Sequence, residues 1–441
     1  MSKRSCDTLG TRRLRILLPL VVLCLLVFAS TFVVACGGEE TTTTTLATGT
    51  TATTTVSSTE TTGTTEPLPA TIKVGAVIPL TGKYSGLGEQ VKNGYELAVA
   101  EINAAGGVDV GGTKVPLELS ILDDESDATK TVQQLETHSS NGVVAYLGGA
   151  GSDLHAAAAG IAEKNKIAYV GIAFALYTGV MDQGYKYVFS PFPKSQDMAE
   201  TIFDLLDSFA PKPSKIVVFA EKTDWGAELT RLWTEQATTR GGYTVTAYEY
   251  APGTTDFSAL IVPAKDANAE VLLALPSGPD GLAMMKQIKE LDWNASVYLL
   301  IRAPDPPTFG ENLGKDSDGV FLLPGWNNGL PYAGVKEMAA AYKEKYGKPA
   351  AALTGPAYSC VQILVDAITR AASLDRDAIR DAIAATNLDT LVGNVQFKPD
   401  GTSSVGCPVN QWQGGKQALV FPADVALVPP IYPAVPWKDR Q

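Results

Sequence analysis

Apolar and polar positions alternate between two periods along most of the chain. "TIKVGAVIPL" from Thr71 is a β-branched strand that ends in a Pro and Gly turn. "GEQVKNGYELAVAEINAAGG" then repeats apolar residues at helical spacing and stops at Gly106 and Gly107. "VPLELSILDDES" predicts a strand, "DATKTVQQLETHSS" a helix opened by Asp127, and "VVAYLGG" a strand. "SDLHAAAAGIAEKNK" predicts a helix and "IAYVGIA" a strand. "YKYVFSPFPKS" reads as a connection into a second run of the same kind. There "SKIVVFA", "YTVTAYEY", "EVLLALP" and "SVYLLI" are strands, separated by helices at "WGAELTRLWTEQATTRGG", "DFSALIVPAKDAN" and "PDGLAMMKQIKELDW". A long helical stretch is predicted over 332–386, then short strands at "NVQF", "CPVNQWQ" and "QALVFP". Such alternation builds βαβ units around a parallel sheet covered on both faces. Two α/β lobes follow, with C-terminal segments returning to both. The C-terminal ends of their strands face a cleft, where open α/β sheets bind ligands.

The first 69 residues lack this texture. Lys3, Arg4, Arg12, Arg13 and Arg15 form a basic head, and an apolar run extends from Ile16 to Cys36. That order is an export signal, although the run is also long enough for a retained anchor helix. Val33-Val34-Ala35-Cys36 resembles the lipobox of bacterial lipoproteins, in which small residues admit the peptidase and the thiol takes a diacylglyceryl group. Residues 1–35 are thus expected to be a lipoprotein signal peptide and Cys36 the lipid attachment point. From Glu39 to Pro69 the chain is mostly Thr with almost no apolar content, so it cannot bury a core, and residues 36–69 are expected to form a disordered tether.

Composition narrows the function classes. The 441-residue chain carries a formal net charge of −12, which argues against a nucleic-acid partner. Of five cysteines, Cys360 and Cys407 alone follow the N-terminal segment, and no CxxC pair exists. Export permits a disulfide between these two, but spacing does not establish their proximity. "DDESD" lacks the EF-hand spacing and reads as a strand end followed by a helix cap. His138 is expected as a solvated helix-end residue and His155 as a helix-face residue; neither belongs to an HExxH motif. No G-x-S-x-G elbow is present. Neither a cofactor nor a metal is expected, and no set of acid, base and nucleophile suggests an enzyme.

Seven segments taken in order resemble the periplasmic leucine/isoleucine/valine-binding proteins, the branched-chain amino acid branch of ABC-transporter substrate-binding proteins. They are "IKVGAVIPLTGKYSGLGEQVKNGYELAVAEINAAGGV", "LELSILDDESDATKTV", "VVAYLGGAGSDLHAAAAGIAEKNKIAYVGIA", "TDWGAELTR", "TTDFSALI", "AYSCVQILVDAI" and "VGNVQFKPDG…NQWQGGKQALVFP". The resemblance implies the type I periplasmic binding protein fold: two Rossmann-like α/β lobes with parallel-rich sheets, joined by three crossovers. Lobe 1 is expected at 71–190 plus about 325–398, lobe 2 at 191–324 plus about 405–425, and a C-terminal tail at 426–441. It also implies hinge closure on a small ligand, delivery to an ABC permease and ATPase, and a monomeric protein outside the cytoplasm, held to a membrane through Cys36. A sensor of the same fold that reports its ligand to a receptor is the alternative.

Candidate ligand contacts lie at strand ends. In "YLGGAGSDLHAAAA", Ser152 is expected at the N-cap, with Gly151 letting backbone approach a ligand. The resemblance implies that this serine grips an α-carboxylate. In "GIAFALYT" it implies a backbone carbonyl at Ala173 and a hydroxyl at Ala175, which alanine cannot supply; Phe174 lies between them. Trp225 is expected as an apolar cleft wall with one N–H. The family often has a Glu in the region of "YLLIRAPDPP" to meet a ligand ammonium; here Arg302 stands, with no Glu before Glu311. Arg302 either faces the cleft and favours a carboxylate, or turns to solvent or to Asp305. Tyr84 and Leu87 in the first strand-to-helix loop, and Ser277 with Gly278, are further candidates. Trp326 either lines the cleft or packs the hinge.

Overall fold

A computed structural model of the chain describes residues 67–440. The expectations for residues 1–35 and Cys36, and for the tether up to residue 66, lie outside the described residues. Strand β1 (Ile72–Ile78) leads into helix α1 (Ser85–Ala104). The hairpin β2 (Val108–Val110) and β3 (Thr113–Val115) precedes β4 (Leu117–Asp123), α2 (Ala128–Ser140) and β5 (Ala145–Leu147). Then come α3 (Ser152–Asn165), β6 (Ala168–Val170) and β7 (Val188–Phe189). These strands form one all-parallel sheet in the order β4-β1-β5-β6-β7. β5 and β6 are buried throughout, as parallel strands covered on both faces must be.

The chain crosses at residues 190–194 into α4 (Ser195–Asp207), β8 (Lys215–Glu221), α5 (Asp224–Arg240) and β9 (Thr244–Tyr250). It continues through α6 (Ser258–Asp266), β10 (Val271–Ala274), α7 (Gly278–Glu290), β11 (Val297–Leu300), α8 (Thr308–Leu313) and β12 (Val320–Leu322). After β12 it returns to the first lobe for α9 (Val335–Tyr346), α10 (Thr354–Ala371), α11 (Arg376–Ala384), and the hairpin β13 (Asn387–Thr390) and β14 (Gly393–Gln396). A last crossing delivers β15 (Val409–Gln413) and β16 (Lys416–Phe421) to the second sheet, ordered β16-β15-β12-β11-β10-β8-β9. β15 pairs antiparallel with both β12 and β16. The chain thus passes between the sheets three times.

Several expectations change. The stretch 332–386 is three helices, broken at Gly347 (φ +70°) and at Ala372 (φ +48°), where left-handed backbone ends a helix. "YKYVFSPFPKS" contains β7 and ends on the first residue of α4. The stretch 426–440 docks on the second lobe: Ala434 N donates to Ser296 O at 2.8 Å, and Trp437 Nε1 to Trp293 O at 2.8 Å. His138 is fully buried rather than solvated. Its ring packs over Gly75, where a Cβ would lie 2.5 Å from the imidazole, and Nε2 donates to Ala76 O at 3.1 Å. Burial lowers its pKa, the Ala76 bond opposing. Cys360 and Cys407 are both free.

Candidate functional site

The C-terminal ends of the two parallel-rich sheets enclose a narrow cavity whose open volume is about 20 Å³, room for roughly a single water. Leu87, Gly151, Ser152, Ala173 and Ala175 line it from the first lobe. Trp225, Ile301, Arg302 and Asp305 line it from the second. Phe192 and Leu323, beside the first two crossings, complete an apolar wall with Met198 and Leu353.

On the first lobe, β5 ends in the turn that starts α3. Gly151 occupies the cap at φ +104°, and Ser152 is the first helical residue rather than the cap. Left-handed backbone favours glycine there, and a Cβ would meet the Tyr84 ring at 2.6 Å. Ser152 Oγ accepts from Leu176 N at 3.4 Å. The next turn is tied to this one, because Gly151 N donates to Ala173 O at 3.2 Å. Ala173 itself has φ +57°. Phe174 does not line the cavity: its ring stacks on His155 at 4.2 Å inside the lobe. His155 Nδ1 donates to Gly151 O at 2.7 Å. Burial drives the His155 pKa down to about 3, so this ring stays neutral.

On the second lobe, Arg302 follows β11 with φ +81°, an uncommon backbone for a side-chain-bearing residue. It is buried and reaches across the cleft. Nη2 donates to Glu221 Oε2 at 2.6 Å and to Leu275 O; Nη1 donates to Tyr84 Oη of the opposite lobe at 3.0 Å. The guanidinium carbon lies 5.3 Å from the Trp225 ring and 5.4 Å from the Tyr84 ring. Burial pulls its pKa down, but Tyr84 and Glu221 outweigh that and hold it above the usual value. Solvent is therefore not its destination, and its partner is Glu221 rather than Asp305. Asp305 is buried with Oδ1 unpartnered, and burial pushes its carboxyl up to about 8 against the pull of Arg302. Glu221 Oε1 and Arg302 Nε are also buried without partners.

Four further candidates do not line this cavity: Tyr84, which bonds Arg302 and joins Gly278 in lining a neighbouring pocket, and Ser277 and Trp326. Ser277 caps α7, accepting from Asp280 N at 3.4 Å, and does not line this cavity. Trp326 is fully buried; its Nε1 donates to Leu391 O at 2.8 Å, and its indole fills the space over Gly355 in α10. It packs the second crossing against the first lobe. Glu221, Glu228 and Asp305 escaped the sequence reading as site residues. Glu228 in α5 accepts from Tyr177 N at 3.0 Å and Thr178 N at 2.8 Å, tying the two lobes beside the cavity.

Two α/β lobes, three chain crossings and a cavity at facing strand ends form the kind of architecture in which two-lobed proteins hold small solutes. The chain belongs to the periplasmic binding protein family, whose sequence pattern matches residues 71–417. It is 26% identical over 379 residues to Leu/Ile/Val-binding protein homolog 7 of Brucella abortus, covering 82% of this chain and 94% of that one. Homolog 8 of the same organism is 27% identical over 389 residues, covering 81% and 92%. Among solved structures, a leucine binding protein from Thermotoga maritima superposes with a TM-score of 0.72 at 25% identity, covering 79% of this chain and 98% of that one. A solute-binding protein from R. palustris in complex with benzoate reaches 0.67 at 18% identity, covering 79% and 95%. The family and these relatives are solute-binding proteins, not enzymes.

Proposed function

We propose that this chain is an extracytoplasmic, lipid-anchored solute-binding protein that closes on a small apolar amino acid and hands it to an ABC importer. The observation that carries the ligand class is the Asp305 carboxyl, buried at the cavity with no side-chain partner. A buried polar group without a partner is costly, and a ligand ammonium would satisfy it. The first turn of α3, starting at Ser152, offers helix N-terminal N–H groups for the α-carboxylate, Gly151 N being committed to Ala173 O. The remaining walls are apolar, which suits an aliphatic side chain. Arg302 alone would favour a carboxylate over an amine, but Glu221 balances its charge. The relatives named for leucine, isoleucine and valine point the same way.

The pH dependence of binding tests this. Burial raises the Asp305 carboxyl to about 8, whereas an ammonium needs the carboxylate. Binding of L-leucine therefore releases a proton. Affinity is expected to rise with pH between about 6 and 8 and to level off above. Calorimetry at one pH in buffers of different ionisation enthalpy reads that proton directly. Asp305→Asn should remove the slope and weaken binding roughly 10- to 100-fold, the worth of a charged hydrogen bond. A flat profile, or benzoate binding more tightly than any amino acid, would reject the ligand class.

The anchor rests on Cys36. A single acyl chain holds a protein only marginally, whereas a diacylglyceryl group gives stable attachment. Cys36→Ser is expected to abolish incorporation of labelled fatty acid and to release the protein from membranes. Labelling that persists in the variant would return residues 16–36 to a signal anchor.

A further inference from the structure

The turn at residues 173–175 is held from outside its own lobe. Phe174 O accepts from Lys194 Nζ at 2.8 Å. Ala175 O accepts from Ser195 N at 2.8 Å and from Ser195 Oγ at 2.9 Å. Lys194 and Ser195 stand at the start of α4, directly after the first crossing. Neither lines the cavity.

Lys194 is an unusual residue for this place. It is only 3% exposed, and it takes part in no salt bridge among the described residues. An ammonium in an apolar core is costly without a carboxylate partner. Nζ instead donates to Ser190 Oγ at 2.7 Å and sits 3.6 Å from the centre of the Phe174 ring. That ring also stacks on His155, which holds Gly151 O. Both turns of the first-lobe wall are therefore fastened to one buried cluster at the crossing. Burial lowers the Lys194 pKa well below its usual value, with Asp197 and Glu228 opposing; charged or neutral, the amine donates to both oxygens.

Ser195 extends the cluster to the other wall. Its Oγ donates to Ala175 O and accepts from Trp225 Nε1 at 3.1 Å. One hydroxyl thus joins a cavity residue of the first lobe to a cavity residue of the second. Ala173, in left-handed backbone, needs such fixing, because an unfavoured conformation persists only where its surroundings over-determine it.

We propose that Lys194 and Ser195 are positioning residues for the ligand site, setting the 173–175 turn against Trp225 from the hinge without touching the ligand. This rests on the cavity being the ligand site, and the experiment separates the two. Ser195→Ala and Lys194→Met are prepared in the full chain and read in two ways. In the unliganded protein, amide hydrogen exchange at residues 151 and 195 is expected to speed up about tenfold or more. Amides of β8 and the melting temperature should stay near wild type. With L-leucine as probe, affinity is expected to fall about tenfold, the equivalent of one buried hydrogen bond. Unchanged exchange at 151 and 195 overturns the proposal, as does a loosened turn with unaltered L-leucine affinity. Loss of protection throughout the molecule also overturns it, because the role is then general packing. If the wild type does not bind L-leucine, the ligand reading fails, while exchange still decides whether the turn is held from the hinge. Should Lys194→Met fail to fold, Ser195→Ala decides alone.

Discussion

Glu221→Gln is expected to weaken L-leucine binding by more than about 100-fold at neutral pH. The substitution keeps the shape of the side chain and removes its charge. Closure would then bury the Arg302 guanidinium against Trp225 and Tyr84 with no counter-charge. Leaving one member of a buried ion pair alone costs about 3–5 kcal/mol, far more than a surface pair is worth. Arg302 also bridges the lobes through Tyr84 Oη, so the cost falls on the closed state, which holds the ligand. Combining Glu221→Gln with Arg302→Met removes both charges and should recover part of the loss, a coupling that a double-mutant cycle measures. Calorimetric affinity within threefold of wild type for the single variant would show that the pair does not set closure.

Trp326→Ala carries the largest expected effect on stability. The indole is fully buried, fills the space over Gly355 and donates to Leu391 O. Truncating a buried Trp costs about 3–5 kcal/mol, partly through the cavity left behind. The loss of the indole also leaves Leu391 O without that donor. The melting temperature should fall by several degrees or more. Because Trp326 packs the second crossing and does not line the ligand cavity, affinity measured well below the melting transition should change less than tenfold. A large loss of affinity with an unchanged melting temperature would instead make Trp326 a cleft residue.

The architecture was readable because its signals are repetitive. Long β-branched runs such as Ile72–Ile78 and Lys215–Glu221 alternate with helices of 3.6 period, and the ambiguity of any one short apolar run between strand and helix disappears over so many repeats. Short elements carried no such signal. The three-residue strands of the 108–115 hairpin and the two-residue β7 have too few positions to show a period. Helix α4 follows Pro191 and Pro193 closely, so its amphipathic face was passed over as connection.

The site was legible in part, for a different reason. Strand ends located Gly151, Ser152, Ala173, Ala175, Trp225 and Arg302 at the cavity, with Leu87 beside them. Side-chain direction is not a property of sequence position, so Phe174 was placed on the cavity although it turns inward to His155. Glu221 sits 81 positions before its partner Arg302, and a charge at the end of a buried strand reads as a solvated end until the fold brings the two together. Asp305 was seen only as a neighbour of Arg302, since burial and the lack of a partner are facts of three dimensions.

The three crossings have a consequence for how the protein is made. The first lobe is not complete without α10, which packs so tightly on α1 that a Cβ on Gly94 would lie 2.5 Å from Thr354 O. The second lobe closes over Tyr298 with Trp437, near the end of the chain. Neither half can finish its core while the ribosome still holds the last third of the sequence. A nascent chain that stays unfinished in this way remains threadable, which would suit the export proposed above.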